Sequence, residues 1–421
     1  MGSKSAWDWN IGQRDIADTA QWRNKFNWVE EPYVSPDGEK IGAIANMSEG
    51  EFTVCVNGQA WENVFDKIWY LRFAPDGRLT ALVSEMGEWT VAVDNAAWEN
   101  RFAYVWNTLF SPDGKNIAVA FQQDMTYGMA LNGVCWEETF SNMTNPTISP
   151  DGRHTAAAVQ VGAFGEGEIQ KFQAGAFSAA IDGTAWDTQF VNVWKMAISP
   201  DGQTLAAEVR LNLYDYTIAV DGKPWEQTFG CIWKPEFNPI NHTVVAPVRI
   251  NGKWSLAEDG RVVWDRRFVQ ILNLMFSPDG SKLAAIVAPK YGKWTIAVDG
   301  HPWPVTFNDM VSDAVFSPDS KKIAAVAKKD ARWFVAVDGA VWKNTFDMVW
   351  QPVFSSDSNY VAVKFERNGK YGIAINDQLW GGECDAIWDP VFSTAGDKIL
   401  LRTLKEGIYS RHVLSVTDML H

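Results

Sequence analysis

The sequence is short of the residues that build redox and metal sites. Only four cysteines occur in 421 residues, Cys55, Cys135, Cys231 and Cys384, and they lie about 80 to 150 residues apart. There is no CxxC, CxxCH or Cys/His cluster, so the ligand patterns of covalent haem, iron–sulfur and zinc sites are missing. We therefore expect no metal and no cofactor. We interpret the cysteines as buried thiols in a reducing compartment, by default the cytoplasm.

The chain also lacks catalytic motifs and long apolar runs. Its five histidines form no HxH or HExxH, and no GxSxG occurs. No apolar stretch approaches the roughly 20 residues that span a bilayer. The first residues, MGSKSAWDWN, contain no apolar signal segment. These absences predict a protein that is not an enzyme and that does not insert directly into a membrane.

Positive charge is in deficit. Lysine and arginine number 37 against 51 acidic residues, which gives a net charge of -14. Such a field repels phosphate backbones and anionic lipid, so we expect no nucleic-acid partner. With 47% hydrophobic residues, the chain has ample material for a core, which excludes the disordered classes.

What the chain does contain is one unit repeated ten times. Its anchor is the turn SPDG or a variant of it, and successive anchors are 37 to 40 residues apart except for one interval of 50. A constant period of this length is typical of repeat architectures. The anchors begin at Ser35, Ala74, Ser111, Ser149, Ser199, Asn238, Ser277, Ser317, Ser355 and Ser393.

Each unit holds four short β-type runs, a to d. Run a ends in an apolar residue just before the anchor, and Pro-Asp-Gly then supplies a tight turn. Run b is rich in Ile, Val and Ala. Run c starts at an aromatic residue and closes on Asn-Gly or Asp-Gly, the dipeptides of type I′ hairpins, which lead into run d. The pattern predicts an all-β protein of four-stranded antiparallel blades, a β-propeller.

The ends of the chain predict how the ring closes. A run d stands before the first anchor, while only two runs follow the last one. We expect the N-terminal strand to complete the last blade beside residues 408–416, which removes two free sheet edges. The predicted organisation is an N-terminal extension (1–17), a ten-bladed propeller (18–416) and a C-terminal tail (417–421). Two five-bladed propellers are the alternative. One ring is favoured because the only long insertion, roughly 161–172, falls inside the fourth blade.

Run d carries the motif W-x3-F, with Cys384 in place of the last phenylalanine. We interpret its tryptophans as the structural core between blades, with ligand stacking and electron hopping as alternatives. Six other tryptophans stand five residues before an anchor; because Trp69, Leu71 and Phe73 alternate, we expect them to share one core face of run a. The W-x3-F tryptophans are Trp22, Trp61, Trp98, Trp136, Trp186, Trp225, Trp264, Trp303, Trp342 and Trp380.

The unit SPDSKKIAAVA (317–327), followed by an aromatic strand and a DG turn, resembles the WD40-like repeats of TolB-type propeller families. That resemblance covers about residues 22–416 and implies the fold rather than a function. The tryptophan-rich repeats in an acidic chain of this size are also similar to the tryptophan-rich subunit of the transmembrane electron-transfer complex of sulfate-reducing bacteria. This second resemblance implies a cytoplasmic, cofactor-free subunit that assembles with a cytochrome c, a cytochrome b and an iron–sulfur subunit.

The b–c connections vary from unit to unit and become basic from the fifth blade onward. A basic arc with exposed aromatic residues on an acidic protein favours docking of other protein subunits, including membrane-bound redox proteins if the second resemblance holds. A carbohydrate-binding or carbohydrate-cleaving propeller using Trp and Asp/Glu is the alternative, and a metal or haem protein is a third. The candidate partner-binding residues are Phe164, Glu166, Lys171, Phe172, Arg210, Tyr214, Lys290, Tyr291, Lys329 and Arg332.

Overall fold

The described residues of the computed structural model, 4–162, 173, 175–380 and 383–420, form ten antiparallel sheets. Each sheet has its strands in the order a-b-c-d, and strand a is split into two pieces in blades 1, 9 and 10. Blade 5 packs on blade 6, and blade 10 packs on blade 1, through apolar clusters. The predicted single ten-bladed propeller is therefore confirmed.

Strands a form the inner wall of the ring, and those of neighbouring blades contact one another at several junctions, for example between blades 4 and 5. They span Trp28–Val29 with Tyr33–Val34, Lys67–Phe73, Tyr104–Phe110, Met143–Ile148, Asn192–Ile198, Glu236–Phe237, Gln270–Phe276, Met310–Phe316, Met348–Val349 with Val353–Phe354, and Ala386–Ile387 with Val391–Phe392. Strands b span Ile41–Ser48, Leu79–Glu85, Ile117–Gln123, Thr155–Gln160, Leu205–Arg210, Val244–Ile250, Leu283–Lys290, Ile323–Lys329, Val361–Arg367 and Lys398–Lys405.

Strands c and d complete each blade towards the rim, and strand d is only two residues long except in blade 10. Strands c span Glu51–Val56, Glu88–Val93, Thr126–Leu131, Phe177–Ile181, Tyr216–Val220, Lys253–Glu258, Lys293–Val298, Arg332–Val337, Lys370–Ile375 and Ile408–Ser415. Strands d span Gln59–Ala60, Ala96–Ala97, Val134–Cys135, Thr184–Ala185, Lys223–Pro224, Arg261–Val262, His301–Pro302, Ala340–Val341, Gln378–Leu379 and, for blade 10, Gly12–Asp18. Short 3-10 helices span Lys4–Ala6, Thr19–Asn24 and Thr417–Met419.

Polar side chains stabilise the two turn motifs of the repeat by hydrogen bonds to the backbone. In blade 3, Ser111 donates a hydrogen bond to Asp113 (2.6 Å), and its hydroxyl accepts one from the N–H of Asn116 (3.0 Å). In the c–d turn, the side-chain oxygen of Asn132 accepts a hydrogen bond from the N–H of Ile117 (2.9 Å). These bonds hold the start of strand b between the two turns, so both turns lie on the same side of the blade.

The N-terminal strand closes the ring as predicted. Gly12–Asp18 pairs antiparallel with Ile408–Ser415, from Gly12 opposite Val413 to Asp18 opposite Ile408. The strand starts at residue 12, whereas the sequence placed the start of the propeller at residue 18. Blade 10 has no c–d turn, so its fourth strand runs along most of strand c.

In the described part of the chain, ten apolar clusters fill the ten junctions between blades, and each contains one W-x3-F tryptophan. The indole packs on the glycine of the next blade's c–d turn. A Cβ built on Gly183, for example, would lie 3.1 Å from the Cβ of Trp136. The left-handed backbone of that glycine and the closeness of the ring both disfavour a larger residue there.

Two c–d turns replace this glycine with a polar residue. In the turn of blade 2, Asn95 accepts a hydrogen bond from the N–H of Asn63 in blade 1 (3.1 Å). In the turn of blade 9, Asp377 accepts one from the N–H of Asn344 in blade 8 (3.0 Å). The side chain thus gains a bond across the junction and holds the two blades together.

Strand a does not follow the alternation that the sequence predicted. Leu71 is buried but Trp69 is 65% exposed, and the register with strand b shifts between Trp69 and Arg72. Tyr70 lies at this shift with φ 56°, as in a β-bulge. Because a bulge reverses the facing of the residues before it, the prediction that Trp69 shares a core face with Leu71 and Phe73 is wrong.

Candidate functional site

The two sides of the ring differ. The a–b and c–d turns lie on one side, and the b–c hairpins and d–a connections lie on the other, which we call the b–c face. The hairpin tips on this face expose large apolar side chains: Met86 is 89% exposed, Met125 83%, Tyr214 79% and Tyr291 93%. We call these four side chains the tip residues. Exposed apolar groups of this size, arranged around one face, are typical of interaction surfaces.

Met125 occupies a strained position. It has φ 62° in a hairpin tip where six other blades have glycine: Gly50, Gly87, Gly252, Gly292, Gly369 and Gly407. A left-handed conformation costs a non-glycine residue on the order of 1 kcal/mol. A flexible, polarisable thioether held out to solvent at that cost is suited to a recognition surface.

Burial and hydrogen bonding separate the predicted basic residues into two groups. Lys290 and Lys329, at the ends of strands b in blades 7 and 8, are exposed. Arg332 forms an ion pair with Asp347, and Arg210 donates a hydrogen bond to the carbonyl of Asn212 (2.9 Å). Among the basic residues of this set that the structure describes, the two lysines therefore offer their charge most freely to a partner.

The structure places Arg210, Tyr214, Lys290, Tyr291, Lys329 and Arg332 at the b–c hairpins of their blades. Phe164, Glu166, Lys171 and Phe172 lie outside the described residues. Sequence reasoning did not select Met86 and Met125. The signal for Met125 was present, because it stands where most b–c tips have glycine.

The inner wall of the ring contains a second candidate site. A pocket of about 730 Å³ opens between strands a of blades 4 to 7, lined by Trp194, Trp233, Glu208, Lys195 and other residues. Trp194 stacks on Tyr216 with ring centroids 5.9 Å apart. Trp233, which is 39% exposed, stacks on the strand c tryptophan of its own blade. The pocket thus combines flat aromatic faces with charged groups.

Glu208 is a buried acid in this wall. It stands nine residues after its anchor, where blades 2 to 4 have apolar residues and blades 9 and 10 have Lys364 and Arg402. Burial raises the pKa of Glu208 to about 7, although the charge and backbone N–H of Lys195 act in the opposite direction. The carboxyl group therefore changes protonation near neutral pH.

The thiols do not form a site. Cys55 and Cys384 are buried, Cys135 and Cys231 are half-buried, and burial raises the pKa of Cys55 to about 11. Among the described residues, no group of three or more His, Cys, Asp and Glu side chains is placed to hold a metal ion. None of the helices in the described part of the chain has the length and apolarity needed to cross a bilayer.

Comparisons with known proteins give matches among solved structures alone. No family model matches the chain, and no curated protein matches it. Among solved structures, a eukaryotic initiation factor matches with a TM-score of 0.49 and 14% identity, over 81% of this chain and 94% of the other. The Dos1 propeller matches with a TM-score of 0.39 and 12% identity, over 74% of this chain and 94% of the other.

Proposed function

We propose that this propeller is a non-enzymatic interaction subunit whose b–c face docks other proteins. The observation that carries the proposal is the presence of exposed tip residues and free lysines on the same face. Apolar anchors surrounded by charge are the usual composition of a protein-binding surface. Following the resemblance to the tryptophan-rich subunit, we propose a cytoplasmic component of a membrane-associated electron-transfer complex, held at the membrane by its partners.

The substitution Met125→Gly tests the apolar part of this surface. Glycine relieves the left-handed backbone, so the variant is expected to be at least as stable as the wild type while binding partners about ten-fold more weakly. The immobilised protein is incubated with detergent extract of its native source, and the retained haem is measured by visible absorption. Ala331→Gly is the matched control, because Ala331 has φ 64° at the same turn position in blade 8.

Two results would contradict the proposal. The first is equal haem retention by the wild type and Met125→Gly. The second is the absence of retained membrane proteins at every detergent and salt concentration used. Because Lys290 and Lys329 are exposed, the retained amount should also fall as ionic strength rises.

The inner-wall pocket favours carbohydrate binding as a second candidate function. Trp69 and Trp233 occupy equivalent positions and are both exposed, and the pocket adds the Glu208 carboxyl group, which can hydrogen-bond to sugar hydroxyls. Calorimetric titration with maltose, cellobiose and chitobiose should then give binding that is lost in Trp233→Ala. Binding should survive in Trp69→Ala, because Trp69 does not line the pocket. If none of the three sugars gives a measurable heat of binding, the carbohydrate-binding function is contradicted.

A further inference from the structure

The residue that follows the W-x3-F motif is a carboxylate in several blades, and there it has a fixed role. In three junctions its side chain accepts a hydrogen bond of 2.7 Å from the backbone N–H at the tip of the next blade's b–c hairpin. The pairs are Asp66 with Met86, Asp347 with Asn368, and Asp385 with Glu406. Three of the ten junctions therefore hold a carboxylate at the edge of the b–c face, whereas the other seven have Asn, Ala, Ser, Val or Gly at this position.

Basic side chains reinforce this position. Arg332 forms an ion pair with Asp347, and Lys370 approaches Asp385 to 2.6 Å. The N–H of Asn368 and the arginine together lower the pKa of Asp347, and Lys370 and a backbone N–H lower that of Asp385. Both carboxylates are thus favoured in their charged form.

The junction between blades 5 and 6 lacks this carboxylate. The residue that follows Phe229 is Gly230, and a Cβ added to it would find only the carbonyl oxygen of Arg249 within 4 Å, at 3.8 Å. A groove of about 940 Å³ lies there, lined by Gly230, by the hairpin tip Asn251–Gly252 and by the c–d turn of blade 6. The space that an aspartate side chain would enter is therefore open.

The groove is positively charged. Arg249, Arg261 and Arg267 line it, and no aspartate or glutamate is among its lining residues. Within the described part of the chain, none of the three arginines forms an ion pair, in contrast to Arg332. In a protein with a net charge of -14, such a concentration of unpaired arginines attracts an anionic partner.

The shape of the groove favours an extended ligand. It runs from the hairpin tip of blade 6, on the b–c face, to Gly260–Val262 on the opposite side of the ring. Strand c of blade 6, Lys253–Glu258, joins these two ends, so they are roughly 20 Å apart. Arg249 lies beside the hairpin tip at the first end, just before Asn251 in the chain, and Arg261 lies at the other end, so a small anion would reach only one of them.

We propose that this groove binds an extended acidic peptide segment of a protein partner, and that one of its carboxylates takes the place left by Gly230. This carboxylate accepts a hydrogen bond from the N–H of Asn251, as Asp347 does from the N–H of Asn368. The arginines of the groove pair with the other acidic side chains of the peptide. The groove is on the flank of the ring, and none of the four tip residues (Met86, Met125, Tyr214 and Tyr291) lines it. The inference therefore stands whether or not the b–c face docks a partner.

The decisive variant is Gly230→Asp, which supplies the missing carboxylate from the chain itself. A fluorescein-labelled eight-residue peptide with four glutamates is titrated against the full-length protein at low salt, and binding is measured by fluorescence anisotropy. We expect the wild type to bind the peptide and Gly230→Asp to bind it at least about ten-fold more weakly. Ala103→Asp is the matched control, because Ala103 follows Phe102 at the same repeat position and lies far from the groove. It should bind like the wild type.

Further arms decide between a peptide and other ligands. A peptide with glutamine in place of glutamate should not bind, and Arg267→Gln should weaken binding even if Gly230→Asp fails to fold. Three outcomes would overturn the proposal: no binding of the acidic peptide by the wild type, unchanged binding in correctly folded Gly230→Asp, or displacement of the peptide by inorganic phosphate at equal concentration. The last outcome would indicate a site for a small anion.

Discussion

Replacing Trp264 with alanine is expected to lower the free energy of unfolding by about 3–5 kcal/mol. Trp264 is 4% exposed and belongs to the cluster between blades 6 and 7. Its ring lies against the c–d turn of blade 7, where a Cβ on Gly300 would be 3.5 Å from the indole. Alanine would leave a cavity that two rigid sheets cannot close. Urea denaturation followed by circular dichroism measures the loss.

Trp69→Ala is the control for this experiment. The residue type and the change are the same, but Trp69 is exposed on the inner wall, so less than about 1 kcal/mol should be lost. Similar losses for the two variants would contradict the division of the tryptophans into junction residues and inner-wall residues.

Deleting residues 1–18 is expected to abolish the monomeric folded ring. The deletion removes the fourth strand of blade 10 and exposes the edge of Ile408–Ser415 to pairing with another chain. The loss should be at least about 5 kcal/mol, comparable with the whole stability of a typical domain. Size-exclusion chromatography with light scattering should show oligomers or aggregates in place of the monomer.

A shorter deletion separates the strand from the segment before it. Removing residues 1–10 keeps Gly12–Asp18 but loses the hydrogen bond from Arg411 to the carbonyl of Asp8 and that from Lys398 to the carbonyl of Trp9. This variant should stay monomeric with reduced stability. If it aggregated as readily as the longer deletion, pairing of the closing strand would not be the cause.

The repeat made most of the fold predictable. Pro-Asp-Gly and Asp-Gly turns restrict the backbone locally, so their spacing alone located the strands and gave the number of blades. The closure of the ring followed from counting the runs. One run d precedes the first anchor and the last blade lacks a run d, so the two complete each other by pairing. The bulge at Tyr70 was not predictable, since the same register shift recurs in strand a of blades 3, 4, 5, 7 and 8 and therefore does not alter the turn spacing from blade to blade.

The candidate sites were less predictable, because they depend on departures from the repeat. For Arg210, Tyr214 and Lys290 the sequence could predict the side of the ring, since the b–c position in the unit fixes it. The groove at Gly230 was missed. The sequence shows only a glycine at this position. Its significance becomes visible when the structure shows that the three equivalent aspartates accept hydrogen bonds from the neighbouring hairpin.

The pairing of Gly12–Asp18 with Ile408–Ser415 sets an order of events during synthesis on the ribosome. The closing strand is translated before the other strands of the propeller, yet its partner emerges almost 400 residues later. Nine blades can complete their own sheets as the chain grows, but the tenth must wait. A polypeptide interrupted before residue 408 therefore cannot close the ring, and both its first strand and its last finished blade remain available to chaperones or to a neighbouring nascent chain.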